Sequence, residues 1–258
     1  MNLFDATLDL AAFAKGTEDY TVSSVSGNEI TCEDLSGRVA EFGGGTIWVR
    51  TGASAGQFGK IVSNGGQSLI LKDSYDLEPG DEITIGAWLE FDAQKLINAV
   101  NSVLRTYRIM KVNQDLVYDP DTEYYDLPDG VTEDIRQVEI PQRWTGRQTV
   151  SHYWRVLNGQ LDLYDKNRLR YMKDALIKIY YAAPHGAVGK DDVISNQVDP
   201  TYLRYMSWLY LCRNLIQQTH KDNLVSSDMY NEAKVYERDY THLPNRSLSM
   251  KTFTFPQW

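Results

Sequence analysis

Gly52, Gly56 and Gly59 stand just ahead of Lys60 in the stretch GGGTIWVRTGASAGQFGKIVSNGGQSLIL, residues 43–71. Glycines before a lysine can let backbone N–H groups close on a phosphate. The phosphate-binding pattern G-x-x-x-x-G-K-[ST] needs a glycine where Ser54 stands. It also needs a hydroxyl to hold magnesium, and Ile61 takes that place. The dinucleotide pattern G-x-G-x-x-G fails as well, because Ser54 interrupts the glycines. KIVSNGG reads as a strand and a turn, whereas both chemistries need a helix. The loop is therefore read as part of a β module whose three glycines serve backbone turns.

Other chemistry-bearing groups fail on similar grounds. DPDTEYYDLPDG places Asp119, Asp121 and Glu123 at alternate positions, as a calcium loop would. Such a loop needs glycine sixth and glutamate twelfth, where Tyr124 and Gly130 stand. His152, His185, His220 and His242 lack H-x-x-x-H or H-E-x-x-H spacing, and no G-x-S-x-G elbow occurs. Paired carboxylates for sugar cleavage carry no weight in a chain with 35 acids, which always offers pairs. The expectation is no enzyme, no catalytic residue, no metal and no cofactor. Trp48, Trp88, Trp144 and Trp154 lie in or near β segments and could stack on sugars if exposed, so a carbohydrate-binding module or adhesin is the alternative.

The elements that carry these residues follow from periodicity. Residues 1–90 form a small β-rich module of short apolar runs (TIWV, KIVS, SLILK, EITIG) between turn residues, with one short helix near Leu8–Ala14. Leu96, Ile97, Val100, Val103, Leu104 and Tyr107 mark one helical face, which predicts a helix over 92–110 capped by Asp92. A β insertion spans about 113–183. Its strongest signal is Asn158 followed by Gly159, which suits a type I′ hairpin turn. ALIKIYY reads as a further buried strand. Asp199 and Pro200 open a largely apolar helix, and Met229, Ala233, Tyr236 and Tyr240 space the inner face of a second, stopped by Pro244. Residues 247–258 alternate apolar and polar and read as an extended arm. The fold class is α+β: an N-terminal β module, then a helical core over 91–246 with an inserted antiparallel β domain, then the arm.

Charge is unevenly spread. Residues 113–139 carry nine carboxylates against one base, Arg136, whereas residues 142–178 carry eight bases against three acids. Opposite blocks of this kind suit a head-to-tail contact between identical subunits, which closes a ring if the rotation fits; the plainer alternative is ordinary surface charge. The net charge of −9 argues against electrostatic capture of nucleic acid. Cys32 and Cys212 sit in unlike surroundings and are expected to be reduced thiols. The first sixteen residues lack a basic head and a long apolar stretch, and no segment approaches the length of a membrane span, so no membrane partner is expected.

The stretch GGTIWVRTGASAGQFGKIVSNGGQSLILKDSYDLEPGDEITI, residues 44–85, is followed by LINAVNSVLRTYRI, TEYYDLPDGVTEDIRQVEI and HYWRVLNGQLDLYD. This succession resembles head-to-tail connector (neck or adaptor) proteins of tailed bacteriophages, at the level of pattern, over about residues 40–240. The resemblance implies a virion protein made in the host cytoplasm. It implies a homo-oligomeric ring, commonly a dodecamer, that binds the portal protein and tail or neck proteins, with DNA only as passing cargo. The chain departs from simple adaptors, which are shorter and mainly helical, by its extra β module. The expected subunit interface is Asp119, Asp121 and Glu123 against Arg168, Arg170 and Lys173, and the expected docking anchors of the arm are Phe253, Phe255 and Trp258.

Overall fold

The computed structural model describes residues 1–14, 16–35, 42–86, 92–132, 134–141, 148–151, 154–164, 173–215 and 228–241. The first helix, α1 (Leu3–Phe13), starts earlier than periodicity suggested, because Asn2 caps it. The Asn2 side chain accepts from the Asp5 amide at 2.9 Å, and the Asp5 carboxylate accepts from the Asn2 amide at 3.2 Å. This reciprocal pairing satisfies two otherwise orphaned donors. Leu3, Ala6, Thr7, Leu10 and Ala11 form its buried stripe.

The chain folds as two compact units, and their boundaries fall at residues 107 and 185 rather than at 90. Unit 1 takes Met1–Tyr107 and Gly186–Pro244. Its strands are β1 (Thr17–Thr21), β2 (Ser24–Ser26), β3 (Glu29–Thr31), β4 (Thr46–Val49), β5 (Phe58–Gly65), β6 (Ser68–Leu71) and β7 (Glu82–Gly86). They form one antiparallel sheet in the order β1-β7-β4-β5-β6-β3-β2. In a flat sheet the outer strands would lie about 29 Å apart, six spacings of 4.8 Å. Yet β1 and β2 are separated only by Val22 and Ser23. The Val22 amide donates to Asp81 O, beside β7, and the next amide, Ser23, donates to Thr31 O on β3. The sheet is therefore rolled until its two edges meet. Inside lie Val22, Ile30, Cys32, Leu35, Phe42, Ile47, Val49, Ile61, Leu69, Leu71, Ile83 and Ile85.

Strand β4 is buried along its whole length because it works on both faces. Ile47 and Val49 point into the barrel, and alternation sends Trp48 the other way. The fully buried Trp48 donates from Nε1 to Thr7 Oγ1 of α1 at 3.1 Å. This contact, with the edge-on Phe4–Phe58 pair and the Lys60–Asp92 ion pair, ties the β module to the helices.

Helix α2 (Ala93–Thr106) is capped by Asp92, which accepts from the Gln94 amide at 2.9 Å. It stops four residues short of the expected end, because Tyr107 is extended and strand β8 begins at Arg108. Helix α3 (Pro200–Tyr210) is capped by Asp199 and continues as a π-helical turn, Leu211–Leu215. Helix α4 (Asp228–Thr241) buries Ala233 and half-buries Met229, Tyr236 and Tyr240, the face that its spacing predicted. Helices α1, α2 and α3 pack on one another, and α4 lies on α3. The α3–α4 seam is aromatic: Tyr202 meets Tyr240 at 4.3 Å and Tyr205 meets Tyr236 at 4.7 Å between ring centroids. Arg213 closes it with a bidentate pair to Glu237 at 2.9 and 2.8 Å.

In unit 2, the described residues of Arg108–His185 form β-strands and their connections. A four-stranded antiparallel sheet has the order β11-β10-β14-β8, with β8 (Arg108–Val117), β10 (Ile135–Pro141), β11 (Gln148–Ser151) and β14 (Leu176–Pro184). A three-stranded sheet has the order β12-β13-β9, with β9 (Tyr124–Asp126), β12 (Trp154–Leu157) and β13 (Gln160–Leu163). One core joins them: Tyr118, Tyr125, Val138, Ile140, Leu161, Leu163, Ile177 and Ile179. Asn158 and Gly159 turn the β12–β13 hairpin with φ of 52° and 77°, as a type I′ turn requires. The acidic stretch is more regular than its charge suggested. Its scattered apolar residues, Leu116, Tyr125, Ile135 and Val138, face this core and hold three strands. The fold is α+β, with a β domain inserted between α2 and α3. The expected arm, 247–258, lies outside the described residues.

Candidate functional site

The glycine loop has no phosphate geometry. Gly52 and Gly56 have φ of 83° and 85° and turn the chain from β4 to β5. Gly59 is not a turn residue; it lies within β5, where a Cβ would collide with the Tyr75 hydroxyl. Ser54 is buried and accepts from the Asp76 amide at 2.8 Å, Ile61 is in the barrel core, and Lys60 pairs with Asp92 at 3.2 Å. Ser54, Gly59, Lys60 and Ile61 therefore each have a structural partner.

Two side chains of unit 1, Cys32 and Tyr75, are favoured in their neutral forms. Burial, with help from Asp34, pushes the Cys32 thiol up to about 11, so it is no nucleophile at neutral pH. Burial and Asp73 push the Tyr75 phenol up to about 12. Both cysteines are buried, and neither forms a disulfide. Among the described residues, no group of three or more His, Cys, Asp or Glu is placed to hold a metal, and no helix is long and apolar enough to cross a membrane. One groove of unit 1 is lined by Asp19, Arg50 and Glu82, and another by Phe58, Tyr75 and Lys190.

The expected interface residues are only partly within view. Asp119 is half-buried and shapes its own loop: its carboxylate accepts from the Asp121 amide at 3.0 Å, and its carbonyl accepts from the Tyr125 hydroxyl at 2.7 Å. Asp121 and Glu123 are exposed, as is Lys173. Arg168, Arg170, Phe253, Phe255 and Trp258 lie outside the described residues, and so do Trp88, Trp144, His152, His220 and His242. Several acids of the block are engaged within unit 2. Asp134 pairs with Arg136 at 2.8 Å and Arg108 at 3.3 Å, and Asp126 accepts from Gln160 at 2.7 Å. Trp48 offers no face to a sugar, being buried, and Trp154 packs half-buried against the unit 2 core.

The feature that sequence reading missed is the outer face of the four-stranded sheet. Leu176 lies opposite Val117, and Tyr180 opposite Val112. Leu176 and Tyr180 are four apart on β14, so all four side chains share the face turned away from the core. Val112, Val117 and Leu176 are each 47% exposed. On the same face Tyr180 donates to Glu139 at 2.9 Å, and burial and that bond push its phenol up to about 12. Val112 and Val117 are five apart, a spacing that would put them on opposite faces of a regular strand. A bulge corrects this: Asn113 faces Ile179 and Leu116 faces Ile177, so Gln114 and Asp115 together oppose Lys178. Val112 and Val117 thus stand on the outward face of the edge strand β8, with Lys178 between Leu176 and Tyr180 beside them on β14. No protein-family model matches this chain, and no curated protein shows significant similarity to it.

Proposed function

We propose that the protein is a structural subunit of a tailed-phage virion, a head-to-tail connector that assembles as a ring between portal and tail and lets DNA pass. The observation that carries this reading is the outer face of β8 and β14, where Val112, Val117 and Leu176 are exposed at the edge of a sheet. Exposed apolar residues grouped at a sheet edge suit protein contact better than small-molecule chemistry. The resemblance of residues 40–240 to connector proteins supplies the kind of partner. The net charge of −9 suits a channel subunit past which DNA slides without sticking. No catalytic step, metal or cofactor belongs to this role.

Mass photometry and negative-stain imaging of the purified protein, alone and with portal protein, test the proposal. Closed rings, or a ring-shaped complex with portal, are the expected result. A monomer that ignores portal and binds glycans would overturn it in favour of a carbohydrate-binding role.

A further inference from the structure

We infer that α4 is a switch helix: it is latched onto α3 by tyrosine hydroxyls, carboxylates and one arginine, and it undocks as a unit while α1, α2, α3 and the barrel stay folded. The inference concerns unit 1 alone and does not depend on the connector reading.

The helices of unit 1 are held in two different ways. Leu3 and Leu10 of α1, Leu96, Val100 and Leu104 of α2, and Leu203, Trp208 and Leu209 of α3 are buried. Helix α4, DMYNEAKVYERDYT, has no leucine, isoleucine, phenylalanine or tryptophan. Ala233 is its one fully buried residue among those described, and Val235 is 49% exposed. Apolar burial, the main favourable contribution to packing, is therefore small at this helix. What joins it to α3 and the π-helical turn is polar. The Arg213 guanidinium donates to both Glu237 oxygens, and this holds the Glu237 carboxyl below the usual carboxylate range. Tyr205 donates to Glu232, and Tyr236 donates to Asp199 at 3.3 Å. The ring contacts of Tyr202 with Tyr240 and of Tyr205 with Tyr236 complete the seam.

Release of these contacts leaves α3 in place. Asp199 caps α3 through one carboxylate oxygen and reaches Tyr236 with the other. Phe13 of α1 meets Tyr205 at 5.2 Å and Trp208 at 6.3 Å, both edge-on, and Arg204 pairs with Asp9 at 2.6 Å. None of these contacts needs α4. Helix α4, by contrast, depends on the seam. It has 14 residues, and isolated helices shorter than about 12–15 residues are marginal in water. Undocking therefore melts it, as a local opening that lies below global unfolding in free energy. Opening uncovers Tyr202, Tyr205 and Arg213 together, so the position of α4 decides whether that face is exposed.

Hydrogen exchange of the full chain at neutral pH, read by mass spectrometry over a series of low guanidinium concentrations, tests this. Amides of α4 should be about a hundred-fold less protected than those of α2 and α3, with a shallower dependence on denaturant because less surface is exposed. Glu237→Gln keeps the side-chain shape and removes the ion pair. It should lower α4 protection about ten-fold while α2, β4 and β7 keep theirs. Tyr236→Phe removes the bond to Asp199 and should lower it about five-fold. Equal protection and equal denaturant dependence for α4, α2 and α3 would overturn the inference, since α4 would then open only with the whole unit. A uniform loss of protection across unit 1 in either variant would overturn it too, because the residue would then serve the fold at large. Low α4 protection that neither variant changes would also overturn it, because the latch would not be what holds the helix.

Discussion

The β sheet of unit 1 and the larger sheet of unit 2 face the same difficulty, an unpaired edge, and answer it differently. In unit 1 the strands roll until β1 and β2 meet through Val22 and Ser23, so no long edge survives. The barrel's outer face is then covered where Trp48 meets α1. In unit 2, among the described residues, no strand pairs with the outer side of β8, and Val112, Val117 and Leu176 on that sheet are exposed. The barrel also exposes two aliphatic residues, Val62 and Ile70, but they lie on β5 and β6, interior strands of its sheet. A single exposed aliphatic residue is ordinary on a protein surface; an aliphatic group beside open backbone donors and acceptors is not. Unit 1 therefore closes its sheet within itself, whereas among the described residues the larger sheet of unit 2 ends at β8.

The sharpest way to break this comparison is at Trp48. Trp48→Ala removes a fully buried indole and leaves the Thr7 hydroxyl without its donor. A loss of about 3–5 kcal/mol in denaturant unfolding is expected. Hydrogen exchange should show lost protection in α1 and β4 while β10, β13 and β14 keep theirs. A loss below about 1 kcal/mol, which is the range of surface changes, would mean that α1 is not what closes the barrel's outer face.

Alkaline titration separates the units next. In unit 1 the Cys32 thiol ionises near 9.0 when unfolded and about 11 when folded. Between these values the unfolded chain holds fewer protons than the folded one, so stability is fully present below pH 9 and falls toward pH 11. In unit 2 the Tyr180 phenol moves from 10.0 to about 12, so its window opens one unit higher. Hydrogen exchange followed from pH 8 to pH 11 should show barrel protection falling before that of β10 and β14. The variant Cys32→Ala should be less stable at pH 7 yet flatter between pH 9 and pH 11. An unchanged slope would assign the alkaline loss to another group.

Much of this architecture could be read from local pattern, and what could not depends on long-range pairing. The face of α2 was plain because Leu96, Val100, Val103 and Leu104 recur at helical spacing, and the β12–β13 hairpin because Asn158 and Gly159 tolerate positive φ. The start of α1 was legible in principle from Asn2 and Asp5. Closure of the barrel was not, since it turns on two successive amides, Val22 and Ser23, choosing partners on opposite edges. The strands of the acidic stretch were hidden because net charge drew the eye from apolar residues spaced through it. The β8 rim was hidden more deeply. Without the bulge at Gln114 and Asp115, residues 112 and 117 belong to opposite faces, and only the pairing with β14 reveals otherwise. Of the expected site residues, Asp121, Glu123 and Lys173 are exposed, while Asp119 serves its own loop.

A smaller effect sharpens the view of unit 1 as self-contained. Asp92→Ala removes the cap of α2 and its pair with Lys60 on β5. Lost capping alone costs about 1 kcal/mol, and the half-exposed ion pair adds little. Measured at 0.1 M and 1 M salt, the loss should be nearly the same, because the capping bond is short-ranged. A loss that vanishes at high salt would place the stabilisation in the Lys60 pair instead.

The smallest stability effect is expected where the assembly effect is largest. Val112→Lys adds a charge to a side chain already 47% exposed, so unfolding of the isolated subunit should change by no more than about 0.5 kcal/mol. In an assembly that covers the β8 rim, the same lysine would be desolvated without a partner, which costs far more. The variant should therefore fold and melt like the parent while its rings fall apart on dilution at higher protein concentration. If Val112→Lys instead destabilises the monomer by several kcal/mol, the residue is part of the unit 2 core and the contrast between the two sheets fails. If it alters neither monomer nor ring, the rim stays wet in the assembly, and the contact between copies must be sought among Asp121, Glu123 and Lys173.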